Sequence, residues 1–485
     1  MTEKATKFLS LSLILLCLAP RVYSDTPAHC FIPDIAGEWV FKFGGRSSNG
    51  TCGFDISQDP NGYTSMKNMH QLPDESQIQT FELTLTPNRT LDGDIDSLIR
   101  QLNLSQDGPQ DWDAMYDEGM VLKIRNLHML AYFQYSPEVK NNDDTKSYCG
   151  RTYVGWYQIN REKDLGCFIA ERKGKAKDLV YAGKTPNRGK PVLTLEQKAN
   201  IYKMKLLGKI KFDVRGLAKN SLQKRSQGTV FRNDTHLQKH RLSLLSKSLS
   251  ISDLPQQFSW EKELPNVFNQ KCGSCYAVSS AQVLSARAKI QFDVDIDVTH
   301  KDLLKCNFMS QGCDGGFAYE VYTYLSTHRT KSTACFQRDS RCGEYCGERG
   351  IRVKRWYRIN GKSGYNPKSE ENMMREILQR GPITVNFQSM DDLSMYSGGI
   401  YIPSDSDLAE YKKMCSPQKN FYAVSHSVMI FGWGVSDDGV KYWLVRNSWG
   451  TIFGENGNFR IIKGVNAVGI ESWASAAEIE LVEGD

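Results

Sequence analysis

Three observations predict an α+β protein built from two unlike parts. Residues 25–170 carry short aromatic-rich runs, "GEWVFKF", "QTFELTLT" and "HMLAYFQYS", with alternating apolar positions and Gly, Asn and Asp clusters between them. That is the pattern of antiparallel strands joined by turns. From about residue 253 a helical pattern, "GSCYAVSSAQVLSARAKI", precedes strand-like runs in "ITVNFQ", "SVMIFGWG", "KYWLVRNSW" and "NFRIIK". A strongly basic segment separates the two regions. A chain of 485 residues is also too long for one ordinary core, so two or three domains are expected.

The elements follow in order. "MTEKATKFLSLSLILLCLAPRVYS" has Lys4 and Lys7, an apolar stretch from Phe8 to Ala19, and small residues at its exit. This is a secretory signal peptide over residues 1–24, and cleavage after Ser24 makes Asp25 the mature N-terminus. A membrane anchor is excluded by length, because a span needs about 20 apolar residues. Secretion makes disulfides available. Removing Cys17 with the signal leaves twelve of the 13 cysteines. Cys30, Cys52, Cys149 and Cys167 in the first region suffice for two bridges, with three pairings open. Sequons at Asn49, Asn88, Asn103 and Asn233 fit a glycosylated protein of the secretory pathway.

Residues 171–250 hold 20 Lys or Arg against 5 Asp or Glu, a charge of +15, while the rest of the chain sums to −9. Part of it, "KANIYKMKLLGKIKFDVRGLAK", reads as a basic amphipathic helix. Nucleic-acid binding is excluded by the secretory context, and a solvated linker is the plain alternative. A basic propeptide over residues 171–252, lying on an acidic enzyme, explains both the charge and the location.

The chemistry centres on "QKCGSCYAVSS". By spacing alone Cys272 and Cys275 could be a redox pair or half of a metal clip. Neither completes, since no βαβ pattern precedes them and no HxxxH follows. Downstream, His426 stands in "SHSVMIFGWG" and Asn447 in "WLVRNSWG". A cysteine opening a helix, a histidine at a strand edge and an asparagine after the next strand supply nucleophile, base and orienter. A thiol reacts as thiolate, which a helix N-terminus and a neighbouring imidazolium favour. Asn447 would hold the imidazole, with Trp449 keeping water from that bond.

Taken together, "CGSCYA", "GCDGGF", "GPITVNF", "SHSVMIFGWG", "VRNSWG" and "GENGNFRI" make residues 253–485 resemble the papain-like cysteine peptidases. "DTPAHC", "GEWVFKFG", "SYCGRTYVGWY" and "LGCFIA" are similar to the exclusion domain of the cathepsin C family, the dipeptidyl peptidases I. The resemblance implies an α+β architecture: a papain-like two-lobed peptidase domain, preceded by an antiparallel β-barrel-like exclusion domain over 25–170 and a propeptide. It also implies cutting into heavy and light chains within about residues 403–422.

For activity the resemblance implies removal of dipeptides from free N-termini of peptides and proteins, in a lysosome, a lysosome-like vacuole or outside the cell. Cys275, His426 and Asn447 would be catalytic and Gln270 would serve the oxyanion. The family pattern Q-x-x-C sets that glutamine one residue further upstream, where this chain has Asn269, so Asn269 is the alternative donor. Gly315 and Gly316 would offer backbone to the peptide. Asp25 would present its carboxylate to the substrate's ammonium group. Tyr319 and Tyr365 would hold a chloride ion, the one cofactor implied; no metal or organic cofactor is. Implied bridges are Cys30–Cys149, Cys52–Cys167, Cys272–Cys313, Cys306–Cys342 and Cys335–Cys346, leaving Cys415 outside them. A homotetramer matured by an unidentified protease is implied, without nucleic acid or membrane span. Two rivals remain: an endopeptidase whose cleft the added domain does not close, and a non-catalytic binding paralogue.

Overall fold

The computed structural model describes residues 30–47, 52, 72, 78–115, 119–135, 146–160, 165–174, 179–180, 195–214, 254–310, 312–361, 364–415 and 424–484. The expected signal peptide, Asp25, Asn49, Asn233 and residues 416–422 of the expected cutting region lie outside them. Among the described residues no helix is long and apolar enough to cross a membrane.

The alternating N-terminal runs become strands with one face inward. β1 (Gly37–Ser47) buries Trp39, Phe41 and Phe43. Its partner β2 (Gln79–Leu85) buries Phe81, Leu83 and Leu85, with Phe41 opposite Phe81. β3 (Leu91–Gly93), β4 (Gln110–Met115), β5 (Gly119–Ile124), β6 (Leu127–Tyr135), β7 (Lys146–Thr152), β8 (Gly155–Ile159), β9 (Leu165–Arg172) and β10 (Leu179–Val180) follow. Antiparallel pairing runs β4-β5-β6-β8-β9-β1-β2-β3. A bridge between Thr90 and Asp111 brings the two ends together, so the sheet curls into a barrel. Closure removes the exposed edges that an open sheet would present. Cys30–Cys149 and Cys52–Cys167 staple the chain start and the β1–β2 connection to β7 and β9.

The basic segment contributes helix α1 (Leu195–Leu206) and a short strand β11 (Asp213–Val214), which pairs with β15 (Tyr396–Gly398). Phe212 is fully buried there, its ring 5.0 Å from that of Tyr401 and 5.9 Å from that of Tyr396. Apolar Ile201 and Ile210 are buried beside it.

In the C-terminal region α2 (Cys275–Phe292) is buried on nearly every face, as a helix without a polar side must be. It lies against a sheet ordered β13-β20-β14-β17-β18-β19-β16. The strands are β13 (Gly350–Arg358), β14 (Ile383–Phe387), β16 (Ile400–Tyr401), β17 (His426–Val435), β18 (Lys441–Arg446), β19 (Asn458–Ile462) and β20 (Trp473–Val482), with β12 (Phe258–Ser259) on β17. All pairs are antiparallel except β16–β19. One apolar cluster packs behind the sheet around Trp433, Trp443 and Phe459. A second runs unbroken from the barrel into the helical lobe, from Trp39 and Phe168 to Tyr276, Leu284 and Val321. Two cores divide the peptidase region into lobes, and the barrel shares the core of the helical one.

Candidate active site

Cys275 is the first residue of α2. Behind it Tyr276, Ala277 and Val278 are buried, while Cys275 is partly exposed and carries a thiol. The approach to the helix is pinned on all sides. Cys272 is bridged to Cys313, Gly273 N–H donates to the Cys313 carbonyl at 2.9 Å, and Tyr276 Oη donates to the Gly312 carbonyl at 3.0 Å. A helix start leaves its first N–H groups without intrahelical acceptors, and Cys275 sits at that position in α2.

Ser279, one turn along the same face, shares a hydrogen bond with Ser427 at 2.8 Å. Ser427 adjoins His426 at the start of β17, so this bond aligns the cysteine end of α2 with the histidine end of the strand. His426 Nε2 lies 2.8 Å from Asn447 Oδ1, and the same oxygen receives the Ser448 N–H at 2.8 Å. A backbone N–H can only donate, so that amide atom is the oxygen. The imidazole must then donate from Nε2, which leaves Nδ1 as its basic nitrogen. Trp449 stacks on the ring at 4.9 Å. Burial pushes the His426 pKa down to about 4, against the opposing pull of its bond to Asn447.

Gln270 is buried, whereas Asn269 is exposed. The Ser448 hydroxyl donates to Gln270 Oε1, Gln270 N–H donates to the Ser448 carbonyl at 2.7 Å, and Nε2 donates to the Cys272 carbonyl at 2.9 Å. The amide keeps a second N–H beyond that bond. Ser448 thus braces Gln270 and, through its own N–H, orients Asn447. Sequence reasoning passed over Ser448, Ser279 and Ser427; the "NSW" spacing was the available signal for the first, and none marked the other two.

The glycine pair lies against Tyr276, the second residue of α2. A Cβ on Gly316, with φ +153°, would stand 2.8 Å from Ser310 Cβ and 2.9 Å from the Tyr276 ring, so only glycine fits that close approach. Helix α3 (Ala318–Tyr324) follows at once and carries Tyr319, stacked between Phe317 at 5.7 Å and Trp356 at 5.5 Å. Tyr319 borders a cleft between the barrel and the helical lobe, lined also by His128, Trp156 and Trp356. Tyr365 Oη reaches the Gly464 carbonyl at 3.4 Å.

The bridges Cys306–Cys342 and Cys335–Cys346 complete the five that the structure contains among the described residues. Cys415 keeps its thiol, half-buried against the sheet core. Asn88 and Asn103 are exposed.

A helix-initial thiol, an imidazole with one nitrogen fixed by an amide, and a braced amide donor are the parts of a thiol hydrolase. Comparison with known proteins agrees. Residues 254–478 match the model of the papain family cysteine proteases, and residues 25–172 match that of the cathepsin C exclusion domain. The chain is 24% identical to cathepsin C of Schistosoma mansoni, over 95% of this chain and 96% of that protein. It is 23% identical to dipeptidyl aminopeptidase 1 of Plasmodium falciparum, over 77% of this chain and 79% of that one. Among solved structures, procathepsin L 3 of Tenebrio molitor aligns with a TM-score of 0.41 and 20% identity, over 58% of this chain and 88% of that one. The chain belongs to the cathepsin C-like dipeptidyl aminopeptidase family of papain-like cysteine peptidases.

Proposed function

We propose that the protein removes dipeptides from free N-termini of peptides and proteins, as a lysosomal-type cysteine exopeptidase. The observation that carries this reading is where the barrel sits. It packs on the turn ahead of the glycine pair, with Tyr132 Oη donating to the Met309 carbonyl at 3.0 Å and the Trp156 ring 5.9 Å from that of Phe308. Arg358 of β13 pairs with Asp113 of β4 at 2.6 Å. An endopeptidase cleft runs open past this point. A domain anchored beside the peptide-binding edge shortens it.

In the reaction, the Cys275 thiolate attacks the carbonyl carbon after the second substrate residue. The Cys275 N–H and the second N–H of Gln270 Nε2 hold the developing oxyanion, each donor worth about 3 kcal/mol. His426 Nδ1–H protonates the leaving amine. The same nitrogen then takes a proton from water, hydroxide attacks the thioester, and the dipeptide leaves as a carboxylate. Asn447 keeps the other ring nitrogen engaged throughout. Gly315 and Gly316 present backbone to the peptide, and Asp25, outside the described residues, pairs with its ammonium group.

Chloride belongs to the same reading. Two phenols are fitting donors for a halide, and the 3.4 Å bond from Tyr365 to Gly464 is weak enough to yield to an anion. The Glu320 carboxyl follows Tyr319 directly on α3, so an anion is tolerated there only if that carboxyl is uncharged. The residues fit chloride on that condition. Residues 171–252 as propeptide and a homotetrameric assembly complete the proposal, both supported by the family.

The test combines labelling and substrate choice. An epoxide-type thiol inhibitor should add once, on Cys275, and stop dipeptide release from free-amine substrates. N-acetylated and internally quenched, N-blocked substrates should be poor from the start. Comparable cleavage of the N-blocked substrates would overturn the exopeptidase reading, and substantial turnover by Cys275→Ala would overturn the nucleophile.

A further inference from the structure

Glu320, on α3 four residues after the glycine pair, is fully buried and has no part in the chemistry above. Its Oε2 accepts the Phe317 N–H at 2.9 Å and the Ser310 hydroxyl at 2.8 Å. The Ser310 hydroxyl can donate because its oxygen already receives Asn307 Nδ2 at 2.8 Å. Oε1 meets Tyr132 Oη, which comes across from β6 of the barrel. That phenol also lies 3.0 Å from the Met309 carbonyl, and a phenol has one proton to give. Two acceptors therefore face one donor, unless Glu320 supplies a proton of its own.

We infer that Glu320 works as a neutral carboxylic acid, donating from Oε1 to Tyr132 Oη while Tyr132 donates to the Met309 carbonyl. It is a positioning residue: one proton completes a chain that fixes the barrel to the turn holding Ser310, against which Gly316 packs. With the proton present each contact of the chain holds one hydrogen. Without it, a buried carboxylate competes with Met309 for the Tyr132 proton, and the barrel loses one of its anchors beside the peptide-binding edge. The bearing on substrate rests on the proposed role of Gly315 and Gly316; the protonation of Glu320 does not.

The surroundings agree. Burial, working against the hydrogen bonds from Tyr132, Phe317 and Ser310, pushes Glu320 up to about 7. The charged groups on the elements packed around α3 are engaged elsewhere. Arg287 of α2 pairs with Glu376. On β13, Arg352 pairs with Glu480 of β20, Arg355 with Glu478 of β20, and Arg358 with Asp113. Lys123 of β5 stands over Trp356. Tyr132 meets the carboxyl itself, and Tyr276 packs against Gly316 on the glycine turn. His128 of β6 lines the cleft that Tyr319 borders.

Glu320→Gln tests the inference, because an amide copies the neutral acid, with N–H toward Tyr132 and oxygen toward Ser310 and Phe317. A carboxyl whose folded pKa is raised gives stability that is present below its unfolded pKa and lost as pH rises through the folded one. The wild type's folding equilibrium should therefore weaken, relative to Glu320→Gln, by about tenfold per pH unit between about 4.5 and about 7. KM for dipeptide substrates should rise over the same range in the wild type and stay flat in the variant. Parallel stability profiles would overturn the inference; diverging stability with parallel KM would instead remove only its link to substrate. Wild-type protein labelled with ¹³C at glutamate carboxyls gives a check that needs no variant. One protonated glutamate C=O band should persist at pH 6 and vanish above neutrality, and its absence at pH 6 would also overturn the inference.

Discussion

Replacing Asn447 separates the imidazole's orientation from its charge. Asn447 is fully buried and its Oδ1 accepts both His426 Nε2–H and Ser448 N–H at 2.8 Å. Asn447→Ala leaves the ring N–H without its acceptor under Trp449, where leaving a buried donor unmet costs about 1–3 kcal/mol. That corresponds to a fall of about 5- to 150-fold in kcat/KM, carried by kcat because no substrate contact is lost. The pH profile gives the sharper reading. Burial holds His426 low and the Asn447 bond pulls it up, so Asn447→Ala lowers it further. The imidazolium form is then lost sooner as pH rises, and the alkaline limb of the profile moves to lower pH. Asn447→Asp restores the acceptor and adds a charge that favours the imidazolium, moving the alkaline limb to higher pH. Steady-state profiles on a free-amine dipeptide substrate resolve the two. Shifts in the same direction, or an unchanged profile in Asn447→Ala, would refute the assignment of Asn447 as the group that sets the imidazole.

Gln270→Ala should lower kcat by about 10²-fold and the exposed Asn269→Ala by far less; the reverse order in steady-state assays would move the oxyanion donor to Asn269. The buried Arg287 donates to the Pro382 and Ala477 carbonyls at 2.8 Å and pairs with Glu376 at 2.8 Å, so Glu376→Gln should cost about 3–5 kcal/mol in denaturant unfolding. Burial raises Glu376, but Arg287, Tyr357 and Arg380 together outweigh it and hold it below the usual carboxylate range. Its contribution is thus present above the unfolded pKa and should fade on acidification, and a loss under about 1 kcal/mol would refute the pair's weight.

Legibility in the sequence followed locality. β1, β2, β6, β14, β17, β18 and β19 show themselves as alternating or continuous apolar runs, and α2 as a long run opening on a cysteine. β13 does not, because "GIRVKRWYR" reads as a charged segment. Two of its arginines, Arg352 and Arg355, are cross-strand partners of Glu480 and Glu478 on β20, a pairing that stabilises a sheet but lies more than a hundred residues away. The Cys275, His426 and Asn447 motifs are visible because each is surrounded by its own strand or helix signal. Tyr132 and Glu320 are 188 residues apart, and each taken alone is an unremarked residue in an apolar run. The same holds for Ser279 and Ser427, 148 apart. Physical chemistry read along the chain finds the candidate reacting groups, whereas the groups that hold lobes and barrel together become apparent only across the interface.

The basic segment shows where composition misleads about mechanism. A contrast of +15 against −9 suggests a clamp held by charge. Its described part instead seats Phe212 between Tyr396 and Tyr401, adds β11 to β15 and buries Ile201 and Ile210. Among the described residues the segment's ion pair, Lys205 with Asp213 at 3.7 Å, is internal to it. Exposed charges at this range are screened within about 8–10 Å at ordinary ionic strength, and surface pairs contribute about 0–1 kcal/mol each. A buried phenylalanine contributes about 1.5–3 kcal/mol with no dependence on salt of that kind. Charge of this distribution suits long-range attraction between the segment and the remainder of the chain. The register, however, is set by Phe212 and the two-residue strand beside it.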